Sequence, residues 1–278
     1  MPLAYYLRSA PKEFWSEHWG AQDAEVLLRV ARRSPLTALI EAALPRSGQI
    51  PEAGCGLGQY VRLFRERGYR TVGVDLSFKA LQKCRNSSPA APLAAMDVRR
   101  LGLRSSSFSA YISLGVVEHD PEGPDAILRE AQRVLEPGGA LILSVPYVNG
   151  VRRLGAWWVH HRNRRVREAG GGFYQFAFSR PEARAFLERN GFRVLRASPY
   201  DPARILRSAW RTLRRMLGIR GAPRPDRAPG TDARPCRDPG SGDQSVPSLV
   251  RRALRRLLYT RPCLHAFGHM ILFVAVKQ

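Results

Sequence analysis

Seven residues, Glu52-Ala-Gly54-Cys-Gly56-Leu-Gly58, restrict the fold of this chain more than any other segment. They follow a short β-rich run at 49–53 and precede the amphipathic stretch Tyr60 to Glu66, so the three glycines fall in a strand-to-helix turn. Glycine there lets the backbone approach a ligand, and the helix N-terminus presents free N–H groups to it. The next β-rich run, Val72-Gly-Val-Asp75-Leu76, ends on a carboxylate placed to accept both hydroxyls of a ribose. A glycine turn followed by a ribose carboxylate is shared by two classes of nucleoside-binding site. The dinucleotide fingerprint is G-x-G-x-x-G. This chain has G-x-G-x-G followed by Gln59 and Tyr60, which disfavours a nicotinamide dehydrogenase.

The remaining pattern is α/β. Short β-rich runs near 49–53, 71–75, 93–96, 110–115 and 140–145 alternate with helical spacing at Tyr60 to Glu66, Lys79 to Cys84 and Asp125 to Leu135. Pro137-Gly138-Gly139 stops the last of these helices. Ser179-Arg-Pro-Glu182 reads as a capping box opening a helix over 180–190, which ends at Asn190-Gly191. Strands at 192–197 and 270–276 follow. At 278 residues the chain suits one elaborated domain. The expected organisation is a helical lead-in at 1–45, a core at 46–200, a basic insertion at 201–262 and a terminal strand within 263–278. Pro51 lies inside the first core strand, where a missing N–H weakens the ladder and, through it, cofactor affinity.

Further motifs occur in a fixed order. Ala95-Met-Asp97-Val98 follows the third strand, Leu114-Gly-Val-Val-Glu118-His119 the fourth, and Arg133-Val-Leu-Glu-Pro-Gly-Gly139 leads into the fifth. With the glycine turn and Asp75, these resemble the motifs of class I S-adenosylmethionine-dependent methyltransferases. The likeness is to the small-molecule, type 11/12-like branch that includes quinone-biosynthesis O-methyltransferases, and it covers about 50–195 plus the last strand. The resemblance implies a Rossmann-like, seven-stranded, mostly parallel sheet with helices on both faces and a basic helical insertion before the last strand. It also implies S-adenosylmethionine as cofactor. Glu52, Gly54, Gly56 and Gly58 would wrap the methionine part, Asp75 and Leu76 the ribose end, Asp97 and Val98 the adenine, and Leu114 the neighbourhood of the methyl group.

Methyl transfer is an in-line displacement whose main demand is alignment, and a hydroxyl acceptor also needs a base. His119 is the candidate base, with a hydrogen bond to a loop as an equal role for it. Glu118 is the candidate orienting group, although capping backbone N–H groups is an equal role for it. Tyr5, Tyr6, Phe14, Trp15, His18 and Trp19 form an aromatic lead-in suited to a lid. Tyr147, Trp157 and His160 fall where the family builds its acceptor pocket. His160 and His161 are adjacent rather than spaced as a metal pair on one helix face, so no metal site is expected.

The formal net charge is +22, and only Lys12, Lys79, Lys83 and Lys277 among the 45 basic residues are lysines. Residues 201–262 concentrate the excess, with 15 arginines against five aspartates. Within them, 203–217 and 248–259 each set an arginine face against an aliphatic face. Three readings stay open for these helices: an anionic membrane surface, RNA, or packing on the core. The segment between them, rich in proline and glycine, reads as disordered. Four separated cysteines argue against a disulfide scaffold, and the longest apolar runs are too short to span a bilayer. The expectation is a cytoplasmic enzyme, peripheral on the inner membrane, that methylates a small or lipid-linked acceptor at oxygen. A cofactor-binding adaptor without catalysis and an RNA methyltransferase are the alternatives.

Overall fold

The computed structural model describes residues 2–7, 14–202, 204 and 256–278. The helices expected at 203–217 and 248–259 and the segment between them lie outside the described residues, apart from Arg204 and 256–259.

The chain opens with β1 (Leu3–Leu7), then α1 (Phe14–Gly20), α2 (Ala24–Arg33) and α3 (Pro35–Glu41). The core alternates β2 (Gln49–Ala53), α4 (Gln59–Glu66), β3 (Arg70–Asp75), α5 (Phe78–Ser87), β4 (Leu93–Ala95), β5 (Phe108–Leu114), a 3₁₀ turn (Val117–His119), α6 (Asp125–Val134) and β6 (Leu135–Pro146). It continues with α7 (Gly150–Leu154), α8 (Ala156–Glu168), β7 (Gly172–Ala177), α9 (Arg180–Arg189), β8 (Phe192–Tyr200), α10 (Arg261–Phe267) and β9 (Met270–Lys277).

Seven strands form one sheet in the order β4-β3-β2-β5-β6-β9-β8. The pairings from β4 to β6 are parallel, and β9 runs antiparallel to both β6 and β8. Side chains alternate across the sheet. Leu141, Leu143 and Val145 of β6 join Phe273, Ile127, Leu128, Phe186 and Leu187 in the core under α6 and α9. Ile142 between them joins Ile112, Leu272, Leu28, Ile40 and Phe64 in the core under α2, α3 and α4. Helices therefore cover both faces, as parallel strands buried on each side require.

Strand direction defines one functional edge. Ala53, Asp75, Leu114 and Pro146 all lie at C-terminal strand ends, and the antiparallel registers Pro146↔Met270 and Met270↔Tyr200 bring Tyr200 to the same edge. The strand order reverses between β2 and β5, and in open α/β sheets ligands bind in the crevice at such a reversal.

Two expectations need correction and a third is met in part. The lead-in does not begin as a helix: Leu3–Leu7 is a strand paired antiparallel with β7 in a separate two-stranded sheet. Its bulky Leu-Ala-Tyr-Tyr-Leu run suits an extended backbone once a partner strand exists. Residues 156–168, which carry the Trp and His pairs and to which the sequence assigns no element, are a helix. The imperfect pairing expected at Pro51 is met on one side of its strand only. Residues 49–53 pair in unbroken register with β3, while pairing with β5 is registered at Glu52↔Ile112. The ladder with β3 holds β2 in place despite the donor that Pro51 lacks.

Candidate functional site

Gly54, Gly56 and Gly58 adopt left-handed backbone, with φ of 78°, 55° and 69°. Side chains would also collide there. A Cβ on Gly54 would sit 2.4 Å from Val116, and one on Gly58 2.2 Å from the Cys84 Sγ. A Cβ on Gly56 would meet the Trp19 indole of α1 at 2.6 Å.

Two carboxylates hold this loop. Asp75 Oδ2 accepts the Gly56 N–H and Oδ1 the Ser77 N–H, each at 2.8 Å. Each oxygen keeps a second lone pair for a hydroxyl. Burial raises the Asp75 pKa, and its backbone hydrogen bonds oppose that shift. Glu52 Oε2 accepts the Val61 N–H at 2.9 Å, which ties the first turn of α4 to β2. Burial, aided by the Asp75 charge and opposed by the Val61 bond, pushes Glu52 up to about 8.

Beside Asp75, Leu76 and Phe78 are large apolar side chains left exposed. Asp97 is engaged by its neighbour: the Arg99 N–H donates to Oδ1 at 2.9 Å and the guanidinium to Oδ2 at 2.7 Å, which lowers the Asp97 pKa. Val98 and Leu114 are partly buried supports packed on the two core clusters. An oriented carboxylate with open lone pairs, an exposed apolar ledge and a glycine surface suit a ribose, an adenine and an extended amino-acid tail. The residues present therefore fit S-adenosylmethionine.

His119 stands at the reversal point. Its Nδ1 lies 2.7 Å from the Tyr174 carbonyl oxygen. A carbonyl only accepts, so Nδ1 carries the proton and Nε2 keeps its lone pair. Burial is the main cause that lowers the His119 pKa to about 4, opposed by the Tyr174 bond. The ring is neutral at pH 7. Glu118 is buried with Oε2 unpartnered, and burial raises its pKa to about 8.

Helix α1 bridges the two halves of the crevice. Trp15 packs edge-on against His119 with 4.6 Å between ring centroids, while Trp19, stacked on Trp15 at 6.4 Å, covers Gly56. Phe14 and His119 both pack on Tyr174, at 5.6 and 5.1 Å. The far end of α1 is held by Lys83 Nζ, which donates to the carbonyls of Trp19, Gly20 and Gln22 at 3.2, 2.6 and 3.1 Å. Neither Tyr174 nor Lys83 was a candidate from the sequence. Tyr174 contributes a backbone carbonyl and Lys83 sits mid-helix, so neither left a motif.

The proposed acceptor residues do not converge on His119. Tyr147 is buried in the core cluster with Phe178. Trp157 and His160 lie on the exposed side of α8.

Sheet order, glycine loop and strand-end carboxylate together define the class I methyltransferase fold. Residues 51–143, about a third of the chain, match the family model described as a methyltransferase domain. Among curated relatives, a malonyl-[acyl-carrier protein] O-methyltransferase from Serratia marcescens is 32% identical over 110 residues, 40% of this chain and 43% of that protein. The tRNA (carboxymethyluridine(34)-5-O)-methyltransferase ALKBH8 of Macaca fascicularis is 32% identical over 118 residues, 41% of this chain and 17% of that protein. The chain thus spans less than half the length of these relatives. Among solved structures, a methyltransferase in complex with the Haloferax volcanii Trm112 methyltransferase activator matches with TM-score 0.59 at 16% identity, covering 97% of this chain and 99% of that one. A SAM-dependent methyltransferase from Methanosarcina mazei matches with TM-score 0.56 at 16% identity, covering 86% and 96%. These likenesses establish the fold.

Proposed function

We propose that this protein transfers a methyl group from S-adenosylmethionine to an oxygen of a small or lipid-linked acceptor. The observation that carries this reading is the single aromatic helix α1, with Trp19 on Gly56 of the cofactor loop and Trp15 on His119. That arrangement sets apolar aromatic surface against both the donor loop and the candidate base. When bound, the cofactor supplies an electrophilic methyl on a sulfonium.

The residues of this chain do the rest. Asp75 holds the ribose hydroxyls, the glycine loop admits the tail, and neutral His119 accepts a hydrogen bond from the acceptor through Nε2. With a pKa near 4, His119 is a weak base at pH 7. It therefore orients an acceptor that keeps an O–H to donate, such as a phenol, more effectively than it ionises an alcohol. The names of both curated relatives specify transfer to oxygen, which supports the choice of acceptor atom.

The tRNA enzyme among the relatives, together with the +22 charge, favours an RNA acceptor as the second reading. Calorimetric titration with S-adenosylhomocysteine beside NAD, repeated on Asp75→Ala, tests the cofactor. Labelled S-adenosylmethionine offered with membrane extract or with total tRNA then separates the two acceptors. Selective binding lost in the variant, with label entering the lipid fraction, is the expected result. Absence of S-adenosylhomocysteine binding by folded protein would return the chain to a non-catalytic adaptor.

A further inference from the structure

We infer that the outer side of α7 and α8 is a docking surface for an anionic lipid bilayer, a proposal that rests on the lipid-linked acceptor reading and gives it a location. Four large apolar side chains lie together there without cover from the described residues. Val151 is 43% exposed, Leu154 84%, Trp157 71% and Trp158 54%. Leu154 ends α7 and Trp157 and Trp158 lie in the first turn of α8, on either side of the break at Gly155. Exposed apolar groups so clustered mark an interaction site, and tryptophan with arginine is the composition of a bilayer interface.

The charge is complementary to anionic headgroups. Residues 150–168 carry six arginines and one acid, Glu168. Arg152 is committed to the fold, donating to the Tyr147 and His269 carbonyls at 2.7 and 3.2 Å. Arg162 lies over the Tyr5 and Trp158 rings and Arg167 over Tyr6. Arg153, Arg164 and Arg165 remain exposed beside the apolar group. Arginines at phosphate level with tryptophans just below is the arrangement of a helix lying in the interface plane. Val151 and Leu154 separate this surface from a base-stacking platform, since exposed aliphatic side chains gain nothing from RNA.

The surface is mechanically joined to the site. Asn149 Nδ2 donates to the Gly268 carbonyl at 2.6 Å, fixing α7 to the entry of β9 at the functional edge. Asn163 Nδ2 of α8 donates to the Ala4 carbonyl of β1 at 2.6 Å. β1 pairs with β7, and the Tyr174 carbonyl of β7 holds His119. α8 is thus joined to the candidate base through three hydrogen-bonded steps.

The test is flotation of the full chain with vesicles of phosphatidylcholine alone or with 30% phosphatidylglycerol. The parent is compared with Leu154→Ser/Trp157→Ser/Trp158→Ser and with Arg164→Glu/Arg165→Glu. Circular dichroism and S-adenosylhomocysteine titration on each variant check folding and the cofactor site. The expected result is anionic-selective flotation, reduced at least tenfold in the apolar variant and by at least about 25-fold in the charge variant, at about fivefold per arginine, with cofactor affinity unchanged in both. Undiminished flotation of both folded variants would overturn the proposal. So would the absence of parental flotation, with or without binding of labelled RNA. Because cofactor binding is read separately, loss of the methyltransferase reading would leave the vesicle result interpretable.

Discussion

The indole of Trp15 meets the His119 imidazole edge-on, with 4.6 Å between centroids and planes 81° apart. Such a contact sets the positive edge of one ring against the negative face of the other, an arrangement that suits two neutral rings. Replacing His119 by Gln keeps a hydrogen-bonding side chain but removes the ring. Methyl transfer should fall by roughly 10²-fold or more, with S-adenosylhomocysteine affinity changed by less than about threefold, or under 1 kcal/mol. Single-turnover assays beside calorimetry measure both.

The same burial makes stability depend on pH with two opposite signs. His119 has a folded pKa near 4 against 6.5 unfolded, so its contribution is present above pH 6.5 and is lost as pH falls toward 4. Glu118 has a folded pKa near 8 against 4.5, so its contribution is present below 4.5 and is lost as pH rises through 8. Glu118→Gln has no proton to lose. Its unfolding midpoint in urea should decline less between pH 5 and 8 than that of the parent.

Asp75→Ala removes the acceptor for the Gly56 and Ser77 N–H groups as well as the ribose contact. Loss of S-adenosylhomocysteine binding by at least about 100-fold, or roughly 3 kcal/mol, is expected from two lost charge-assisted hydrogen bonds. Asp75→Asn, which keeps an acceptor oxygen, should fall between parent and Ala in the same titration.

Gly56→Ala places a methyl at φ 55° and 2.6 Å from Trp19. The strained backbone costs roughly 1–3 kcal/mol, and the indole must move off the loop. A lower melting temperature with altered Trp fluorescence is the expected outcome. Pairing it with Trp19→Ala should restore part of the loss, since the collision partner is then absent.

Lys83→Met breaks three carbonyl contacts that end α1. Amide exchange over 14–22 should accelerate while that of α4 and β2 is unchanged, because the Lys83 ammonium reaches from α5 to the lead-in.

The glycine loop, Asp75 and the five β-rich runs were legible in the sequence because each rests on local physics. A left-handed turn demands glycine, a strand buried on both faces demands a short apolar run, and Ser179 with Glu182 forms the capping box it spelled out. Pairing across long separations was not legible. Nothing in Leu3–Leu7 names β7 as its partner 170 residues later. Whether Trp157 and His160 face the site or the solvent depended on which side of α8 Val159 and Asn163 buried.

The sequence by itself determined that a nucleoside-type cofactor loop opens a parallel α/β core, since those constraints act over a few neighbouring residues. Only the tertiary structure decided that a backbone carbonyl of β7 fixes the His119 tautomer, that one aromatic helix joins the candidate base to the glycine loop, and that the Trp157–Trp158 pair turns outward. Those outcomes depend on packing and hydrogen bonds between segments distant in the chain, where a carbonyl carries no residue identity and a side chain's direction is set by what its helix packs against.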